Sequence, residues 1–160
     1  MRGRIVVDEG PTLRVACLPG PRYGQFHDEA LRNVFRKLEG WLGSYDLTPG
    51  RWIAYFYDNP ETEPEGGRSE ACISFVGEAP PSEDVEVRKV PPVTVARYRT
   101  HLDRVGEPDA VYREMYAWIN ESRYLPTGDW FVRELYTLNP WEADPSHVEV
   151  EFQVPVSELE

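Results

Sequence analysis

Cysteine and histidine are scarce in this chain of 160 residues, which has 2 cysteines and 3 histidines. No CxxC pair occurs, and His27, His101 and His147 are far apart in the sequence. Zinc sites are usually built from closely spaced Cys and His ligands, so the sequence does not indicate a metal site. Cys17 and Cys72 each lie in an apolar, strand-like run, which favours two buried thiols in a reducing compartment.

Basic residues and long hydrophobic runs are also few. The 17 Lys and Arg residues are outnumbered by 28 Asp and Glu, which gives a formal net charge of −11. Such a surface repels nucleic acid backbones and anionic membranes, so direct binding to either is not expected. No apolar stretch reaches the length of a transmembrane helix, and the opening apolar run is too short for a signal peptide. We therefore expect a cytoplasmic protein.

Signatures of nucleotide binding and of nucleophilic catalysis are missing as well. The chain has no GxxxxGK loop, and no Ser/His/Asp or Cys/His set can be recognised in it. No cofactor is indicated. The excess of acid fits a merely soluble surface, which is the simpler explanation, or a surface that attracts cationic ligands and basic partners.

Aromatic residues, in contrast, are plentiful, with 5 Trp, 9 Tyr and 6 Phe. Most large rings fill hydrophobic cores, and with 41% hydrophobic residues the chain has ample material for a globular fold. The excess of rings also allows an aromatic-lined cavity.

The chain resembles itself after a shift of 80 positions. Val15-Ala16 recurs as Val95-Ala96, and Asn59-Pro60 recurs as Asn139-Pro140. The predicted elements recur in the same order, since each half has a strand, an amphipathic helix and two further strands. In the first half these are the strand 13–18, a helix over 31–42, a turn at 48–50 and the strands 52–57 and 70–76, with a loop at 58–67. In the second half they are the strand 93–99, a helix over 108–119, a turn at 125–128 and the strands 130–138 and 148–154, preceded by an extra strand at 85–90.

Two β-α-β-β units predict an α+β fold with antiparallel sheets related by a pseudo-two-fold axis, and not a parallel doubly wound sheet. We expect one domain over 12–160 made of two repeats, at about 12–78 and 84–156, after a short N-terminal segment 1–11. Packed together, the two units would share a core and form a ligand crevice between them.

One acidic residue breaks the repeat. Alternate residues of the strand 130–138 point to the same face. The residues of that face are Trp130, Val132, Glu134, Tyr136 and Leu138. The corresponding residue of the first half, Ala54 or Phe56, carries no acid. A carboxylate among aromatic rings is costly unless it is paired, its pKa should rise, and such residues often mark functional sites. Pairing with a buried Arg, or exposure near a sheet edge, is an equally weighted alternative.

A buried carboxylate surrounded by rings has two chemical uses, which the sequence leaves open. Glu134 can neutralise a cationic aromatic ligand that stacks on those rings. It can also act as a general base or acid towards water or a bound electrophile.

Several segments, taken in order, resemble the GyrI-like family, which includes the effector-binding domains of AraC-type and multidrug-responsive regulators. Residues 133–140 resemble the family's Glu-x-Tyr-x-x-(Asn/Asp)-Pro strand and turn, and residues 55–60 resemble its Tyr-Tyr-Asp-Asp-Pro turn. Residues 108–118 are similar to its second helix. The resemblance covers about residues 12–156 and leaves no room there for a DNA-binding helix-turn-helix. The loop at 100–107 lacks the family's glycine pattern.

The resemblance implies that Glu134 is the acidic residue of a ligand pocket. In the drug-responsive regulators this residue faces cationic, aromatic compounds. Some stand-alone relatives are hydrolases that open the cyclopropane ring of DNA-alkylating natural products, and another relative inhibits gyrase by protein contact. We therefore expect a stand-alone binding protein for an aromatic, amphipathic ligand, which a cationic group would suit. Hydrolysis with Glu134 as general base and a gyrase-like protein partner are the alternatives.

The candidate site follows from these arguments. Glu134 is the candidate catalytic residue, with Tyr57 as a second. For the aromatic residues, packing in the core is the alternative to contact with a ligand. The candidate ligand-binding residues are Trp130, Tyr136, Phe56, Tyr98, Tyr112, Trp118 and Tyr55.

Overall fold

The computed structural model describes residues 4–22, 29–63, 67–80 and 82–160, where the chain forms nine β-strands and two α-helices. His27 and part of the 58–67 loop lie outside these ranges. The strands are β1 Val6–Glu9, β2 Leu13–Pro19, β3 Thr48–Phe56, β4 Ser69–Val76, β5 Glu86–Val90, β6 Thr94–His101, β7 Tyr124–Pro126, β8 Val132–Tyr136 and β9 Glu149–Glu158. The helices are α1 Glu29–Ser44 and α2 Pro108–Asn120. Neither of these described helices has the length and apolarity needed to cross a membrane.

Both helices form where the apolar spacing predicts them. The buried residues of α1 are Leu31, Phe35, Leu38 and Leu42. Because they recur every three or four residues, they form one face that packs on the sheet. α1 includes Gly40 and Gly43 without ending at either. α2 begins at Pro108, whose fixed φ and missing N–H suit the first turn of a helix.

The strands form an antiparallel sheet in the order β1-β6-β9-β8-β3-β4-β2-β5, with β7 paired to β9. Outward from the central β3–β8 pair, the first half contributes β3, β4 and β2, and the second half contributes β8, β9 and β6. This arrangement confirms the α+β class, and the extra strand at 85–90 is β5. The matched strand order is what a duplicated unit requires, while the pseudo-two-fold axis itself stays a prediction.

The two Asn-Pro turns have the same hydrogen bonds. In each, the Asn carbonyl oxygen accepts from the N–H groups three and four residues later, at 3.0 and 2.9 Å for Asn59 and at 3.3 and 3.1 Å for Asn139. The side-chain Oδ1 accepts from the N–H two residues later, at 2.9 Å for Asn59 and 3.0 Å for Asn139. This local bond of an Asn side chain is a turn-forming interaction, and its recurrence supports the predicted repeat.

One predicted turn is wrong, and a second is shorter than predicted. The segment 48–50 is the beginning of β3, where the strand register shifts between Pro49 and Trp52. A bulge allows Pro and Gly inside a strand, so this Pro-Gly pair marks an irregularity and not a chain reversal. The turn expected at 125–128 is shortened by β7, which pairs with β9.

The sheet is strongly curled. In a flat sheet, β1 and β2 would be six strand spacings apart, or about 29 Å at about 4.8 Å each. The chain from Glu9 to Leu13 can span at most about 14 Å, so the two edges must approach each other. The helices cover the outer face, which we call the helix face. The other, concave face has its own buried cluster, made of Val15, Cys17, Ile53, Tyr55, Cys72 and Leu135.

Candidate functional site: a buried glutamate behind an aromatic cleft

Strand β8 places Glu134 in the middle of the helix face. Its side chain is 0% exposed, and Val132 and Tyr136, which share its face of the strand, are also buried. In the register of the sheet, Glu134 lies opposite Ala54 on β3 and Phe152 on β9. The acid is therefore enclosed by apolar side chains, as the pattern of the strand predicts.

Two tyrosine hydroxyls hold the carboxyl group of Glu134. Tyr112 on α2 hydrogen-bonds to Oε2, and Tyr136 hydrogen-bonds to Oε1. Among the described residues, no Lys or Arg forms an ion pair with Glu134. Burial raises the pKa of Glu134 to about 8; the hydrogen bond from Tyr136 opposes the increase, and the charge of Asp109 adds to it. The carboxyl group is therefore mainly neutral at pH 7.

Aromatic rings surround the Tyr112 side of this acid. The Tyr112 ring meets the rings of Phe131 and Phe152 nearly edge to face, with centroids 5.9 Å apart in both pairs. Phe152 in turn stacks with Tyr98 at 6.4 Å. Tyr112 and Tyr98, two of the predicted residues, thus belong to one aromatic group around Glu134.

A cleft of about 360 Å³ opens on the other side of Tyr112. Its walls are residues 59–61 together with Asp109, Tyr112, Arg113, Tyr116 and Phe131. The Tyr116 ring stacks on Phe131 at 4.8 Å, and its hydroxyl donates to the Phe131 carbonyl at 2.6 Å. A cleft of this size suits a small organic molecule. Tyr112 is the wall between the cleft and Glu134.

Trp130 lies on the concave face, so the prediction that it shares a face with Glu134 is wrong. β8 begins at Val132 and the chain bends at residue 131, so the alternation does not extend to Trp130. The Trp130 ring instead lies 4.8 Å from the Arg133 guanidinium and meets Tyr55 edge to face at 5.6 Å.

Tyr55 and Tyr57 also lie on the concave face, as their positions in the strand predict. Their rings stack at 5.9 Å, and the Tyr57 hydroxyl donates to Glu70 Oε1 at 2.8 Å. The structure therefore does not bring Tyr57 and Glu134 together. The hydroxyls next to this carboxyl group belong to Tyr112 and Tyr136, so the proposed catalytic pair of Glu134 and Tyr57 is corrected.

Phe56 and Trp118 pack against the core of the helix face, where both are partly buried. The Phe56 carbonyl accepts from the Phe131 N–H at 2.9 Å, so the end of β3 holds one wall of the cleft in place. The cleft itself is lined by other residues.

Of the eight residues that line the cleft, only Tyr112 was predicted from the sequence as a site residue. Tyr116 lies one helical turn after Tyr112, and this spacing of four residues was a usable signal. Asp109 lies one turn before Arg113 on the same helix. Phe131 could not be found by alternation, because the bend before β8 turns its ring towards α2.

The chain is similar to several known proteins in sequence or in fold. A DNA gyrase inhibitor from Escherichia coli K12 is 27% identical over 110 residues, which covers 68% of this chain and 67% of that protein. The EcmrR C-terminal domain has a TM-score of 0.71 at 17% identity, with 97% and 98% of the two chains covered. In the EcmrR–DNA complex, this chain spans only 57% of EcmrR.

Two further structures share the fold at lower identity. A hydrolase from Listeria innocua has a TM-score of 0.65 at 8% identity, covering 96% of this chain and 92% of its own. SAV2435 bound to tetraphenylphosphonium has a TM-score of 0.53 at 13% identity, covering 96% and 93%. At such identities the likeness shows the fold alone. The model of the GyrI-like small molecule binding domain matches residues 12–157, and the chain belongs to this family.

Proposed function

We propose that this protein binds an aromatic, cationic small molecule in the cleft beside Tyr112, with Glu134 as the counter-charge. One observation carries the proposal: a fully buried carboxyl group, held by tyrosine hydroxyls with no Lys or Arg partner among the described residues, lies one side chain behind the cleft. Burying a carboxyl group costs free energy, and packing of the core does not require an acid at this position. Such a residue therefore points to a functional site.

The chemistry of the walls favours a cation over a neutral or anionic ligand. The rings of Tyr112, Tyr116 and Phe131 offer faces and edges to which a delocalised cation is attracted. Asp109 adds a carboxylate at the wall, and the chain as a whole has a net charge of −11. Arg113 is the one basic side chain among these walls.

Tyr112 must move for the ligand to reach Glu134. The Tyr112 hydroxyl donates to Glu134 Oε2, and the Tyr112 ring fills the space between the acid and the cleft. A ligand that displaces the ring replaces one hydrogen bond by an ion pair in a site with little water. Because the free carboxyl group is mainly neutral at pH 7, binding of a cation releases a proton, and affinity increases with pH up to about 8.

The comparisons support this proposal. SAV2435, which shares the fold, is bound to tetraphenylphosphonium, a cation with four aromatic rings. The family matched here is a small-molecule binding domain. For this chain, the class of ligand rests on the glutamate and the rings described above.

The test is a tryptophan-fluorescence titration with tetraphenylphosphonium and with the neutral triphenylphosphine oxide. Glu134→Gln keeps the shape and hydrogen bonding of the side chain but removes the charge. We expect at least about tenfold weaker binding of the cation, because removing one partner of a buried charge pair is costly, and unchanged binding of the neutral compound. Glu114→Gln, on the exposed side of α2, is the matched control. Equal loss in both variants, or no binding by the wild type, would contradict the proposal.

Hydrolysis is the second candidate, because a structure that shares the fold is described as a hydrolase. A general base must reach the water that it activates, whereas Tyr112 separates Glu134 from the cleft and both carboxyl oxygens are hydrogen-bonded to phenols. The binding proposal therefore expects no ring-opened product when the protein is incubated with a cyclopropane-bearing alkylating compound. Product seen by mass spectrometry, and lost in Glu134→Gln, would replace binding by catalysis.

A protein partner is the third candidate, because a relative is named DNA gyrase inhibitor. The net charge of −11 would suit a basic surface on such a partner. This candidate expects salt-sensitive association with gyrase that Glu134→Gln leaves unchanged.

A further inference from the structure

The concave face holds a cluster of reactive groups that the proposed ligand site does not use. Cys17 on β2 and Cys72 on β4 lie directly opposite each other in the antiparallel register. They are 1% and 0% exposed, and the Cys72 thiol donates to Cys17 Sγ at 2.8 Å. Residues paired in this way have Cα atoms about 4.5–5.5 Å apart, within the range that a disulfide spans.

Arg88 on β5 lies over both sulfur atoms. Its Nη2 is 3.2 Å from Cys17 Sγ and 3.6 Å from Cys72 Sγ, and it forms an ion pair with Glu70. A guanidinium next to a thiol stabilises the thiolate, which is the nucleophilic form of cysteine. Burial raises the pKa of the Cys72 thiol. Cys17 Sγ is the closer of the two sulfur atoms to the guanidinium, and this position makes it the better placed to attack an oxidant first.

We propose that Cys17 and Cys72 form a reversible thiol–disulfide pair that is oxidised by hydrogen peroxide, with Arg88 as the residue that stabilises the thiolate. The pairing needs no rearrangement of the strands, because the register already places the two side chains face to face.

The chemistry requires hydrogen peroxide as the oxidant, and its atoms balance. The Cys17 thiolate attacks one peroxide oxygen, the O–O bond breaks, and the leaving hydroxide takes the thiol proton to become water. The resulting sulfenic acid is then attacked by Cys72 Sγ. Its S–O bond breaks, the S–S bond forms, and the hydroxide leaves with the Cys72 proton as a second water. Two thiols thus lose two electrons to one peroxide.

A metal ion is the competing occupant of this cluster. Cys17, Glu70 and Cys72 place one donor atom each within 4.8 Å of one another. However, the guanidinium of Arg88 already contacts all three donors and would repel a cation. The arrangement therefore favours oxidation of the thiols over coordination by them.

The polar end of the cluster reaches the protein surface. The side chains of Arg88 and Glu70 are 32% and 14% exposed, while the sulfur atoms lie just beneath them. Because both cysteines are almost fully buried, we expect hydrogen peroxide, which is small, to react with Cys17 faster than larger thiol reagents do.

The first test uses the reduced wild-type protein and the intact mass after exposure to hydrogen peroxide. The chain has only 2 cysteines, so loss of two hydrogen atoms without dimer formation assigns the bond uniquely. We expect this loss, and its reversal by dithiothreitol. Thiols that stay reduced, or that gain oxygen without forming the bond, would overturn the proposal. Zinc that copurifies with the protein and protects both thiols would overturn it as well.

Two variants test the role of Arg88. In Arg88→Gln the oxidation should be about tenfold slower, because a hydrogen bond to a charged group is lost. In Cys72→Ser, the remaining Cys17 should form a sulfenic acid, seen in the intact mass as added oxygen that dithiothreitol removes. Circular dichroism verifies that each variant is folded. An unchanged rate in folded Arg88→Gln would show that the guanidinium has no part in the reaction.

Discussion

Glu134 is held in the free protein by hydrogen bonds that differ in kind. Tyr136 is on the same strand, two residues away, and is itself 1% exposed, so its hydroxyl is fixed in place. Tyr112 comes from α2 and also forms a wall of the cleft. The bond from Tyr136 is therefore a fixed part of the site. The bond from Tyr112 is present only while the Tyr112 ring separates Glu134 from the cleft, an arrangement that we call the closed state.

This difference predicts opposite effects of two conservative changes. In Tyr112→Phe the bond that holds the ring closed is lost, so tetraphenylphosphonium should bind several-fold more tightly. In Tyr136→Phe the bond that lowers the pKa of Glu134 is lost, so less carboxylate is present at pH 7 and binding should weaken. The same fluorescence titration measures both constants. Changes in the same direction would show that Tyr112 does not close the site.

At the residue scale, the sequence showed the acid and placed Tyr112 and Tyr136 among the candidate residues, but it did not show that their hydroxyls hold the carboxyl group. Glu134 was recognisable because it interrupts an apolar face whose counterpart has none. Trp130 was misplaced and Phe131 was missed for one reason, which is that the bend before Val132 reverses the expected alternation. Such a bend has no residue signature, so that only coordinates can reveal it.

The two Asn-Pro turns differ in how deeply their Asn side chains are buried. Asn139 is 7% exposed, and its Nδ2 donates to Glu39 on α1 at 2.6 Å in addition to the bond within the turn. Asn59 has only the turn bond described for its side chain. The second-half turn therefore links the end of β8 to a helix of the first half.

We expect Asn139→Ala to destabilise the protein more than Asn59→Ala. The first change leaves a partly buried carboxyl group and a main-chain N–H without their partner, which costs about 1–3 kcal/mol. The second removes one exposed bond of a turn and should cost about 1 kcal/mol or less. Urea denaturation of both variants gives the two free energies of unfolding. Equal losses would mean that the bond to Glu39 does not contribute.

The elements themselves were largely predictable. The helices followed from apolar residues spaced three and four apart, and Pro108 marked the start of α2. The errors fell at Pro49-Gly50, where the sequence signal of a turn is identical to that of a bulge. What separates the two is pairing with β4, a long-range contact that no local pattern contains.

At the scale of the whole molecule, curling of the sheet creates two interiors from one layer of strands. The helix face encloses Glu134, and the concave face encloses Cys17 and Cys72. The sequence did not predict that the two edges of the sheet approach each other. Because β1 was not recognised as a strand, the short link between β1 and β2 placed no constraint on the distance between those edges. Gly10 lies in the link between β1 and β2, where the chain passes close to Arg133. A Cβ at Gly10 would lie 3.0 Å from Arg133 Nη2.

The free energy of unfolding should depend on pH because Glu134 is buried. Burial raises the pKa of Glu134 from 4.5 to about 8, so between these values the folded protein holds a proton that the unfolded chain has lost. By linkage, the contribution of this group to the free energy of unfolding is full below about pH 4.5. It falls as pH rises, by up to about 1.4 kcal/mol per unit, and levels off above about pH 8.

Glu134→Gln removes this dependence, because the amide does not titrate. Urea denaturation of both proteins from about pH 5 to about pH 8.5 should give curves that diverge, with the variant gaining relative stability as the pH rises. All other titrating groups are shared, so the difference between the curves isolates Glu134. Parallel curves would mean that the carboxyl group is ionised in the folded protein at neutral pH, and the closed, proton-holding state of the site would have to be abandoned.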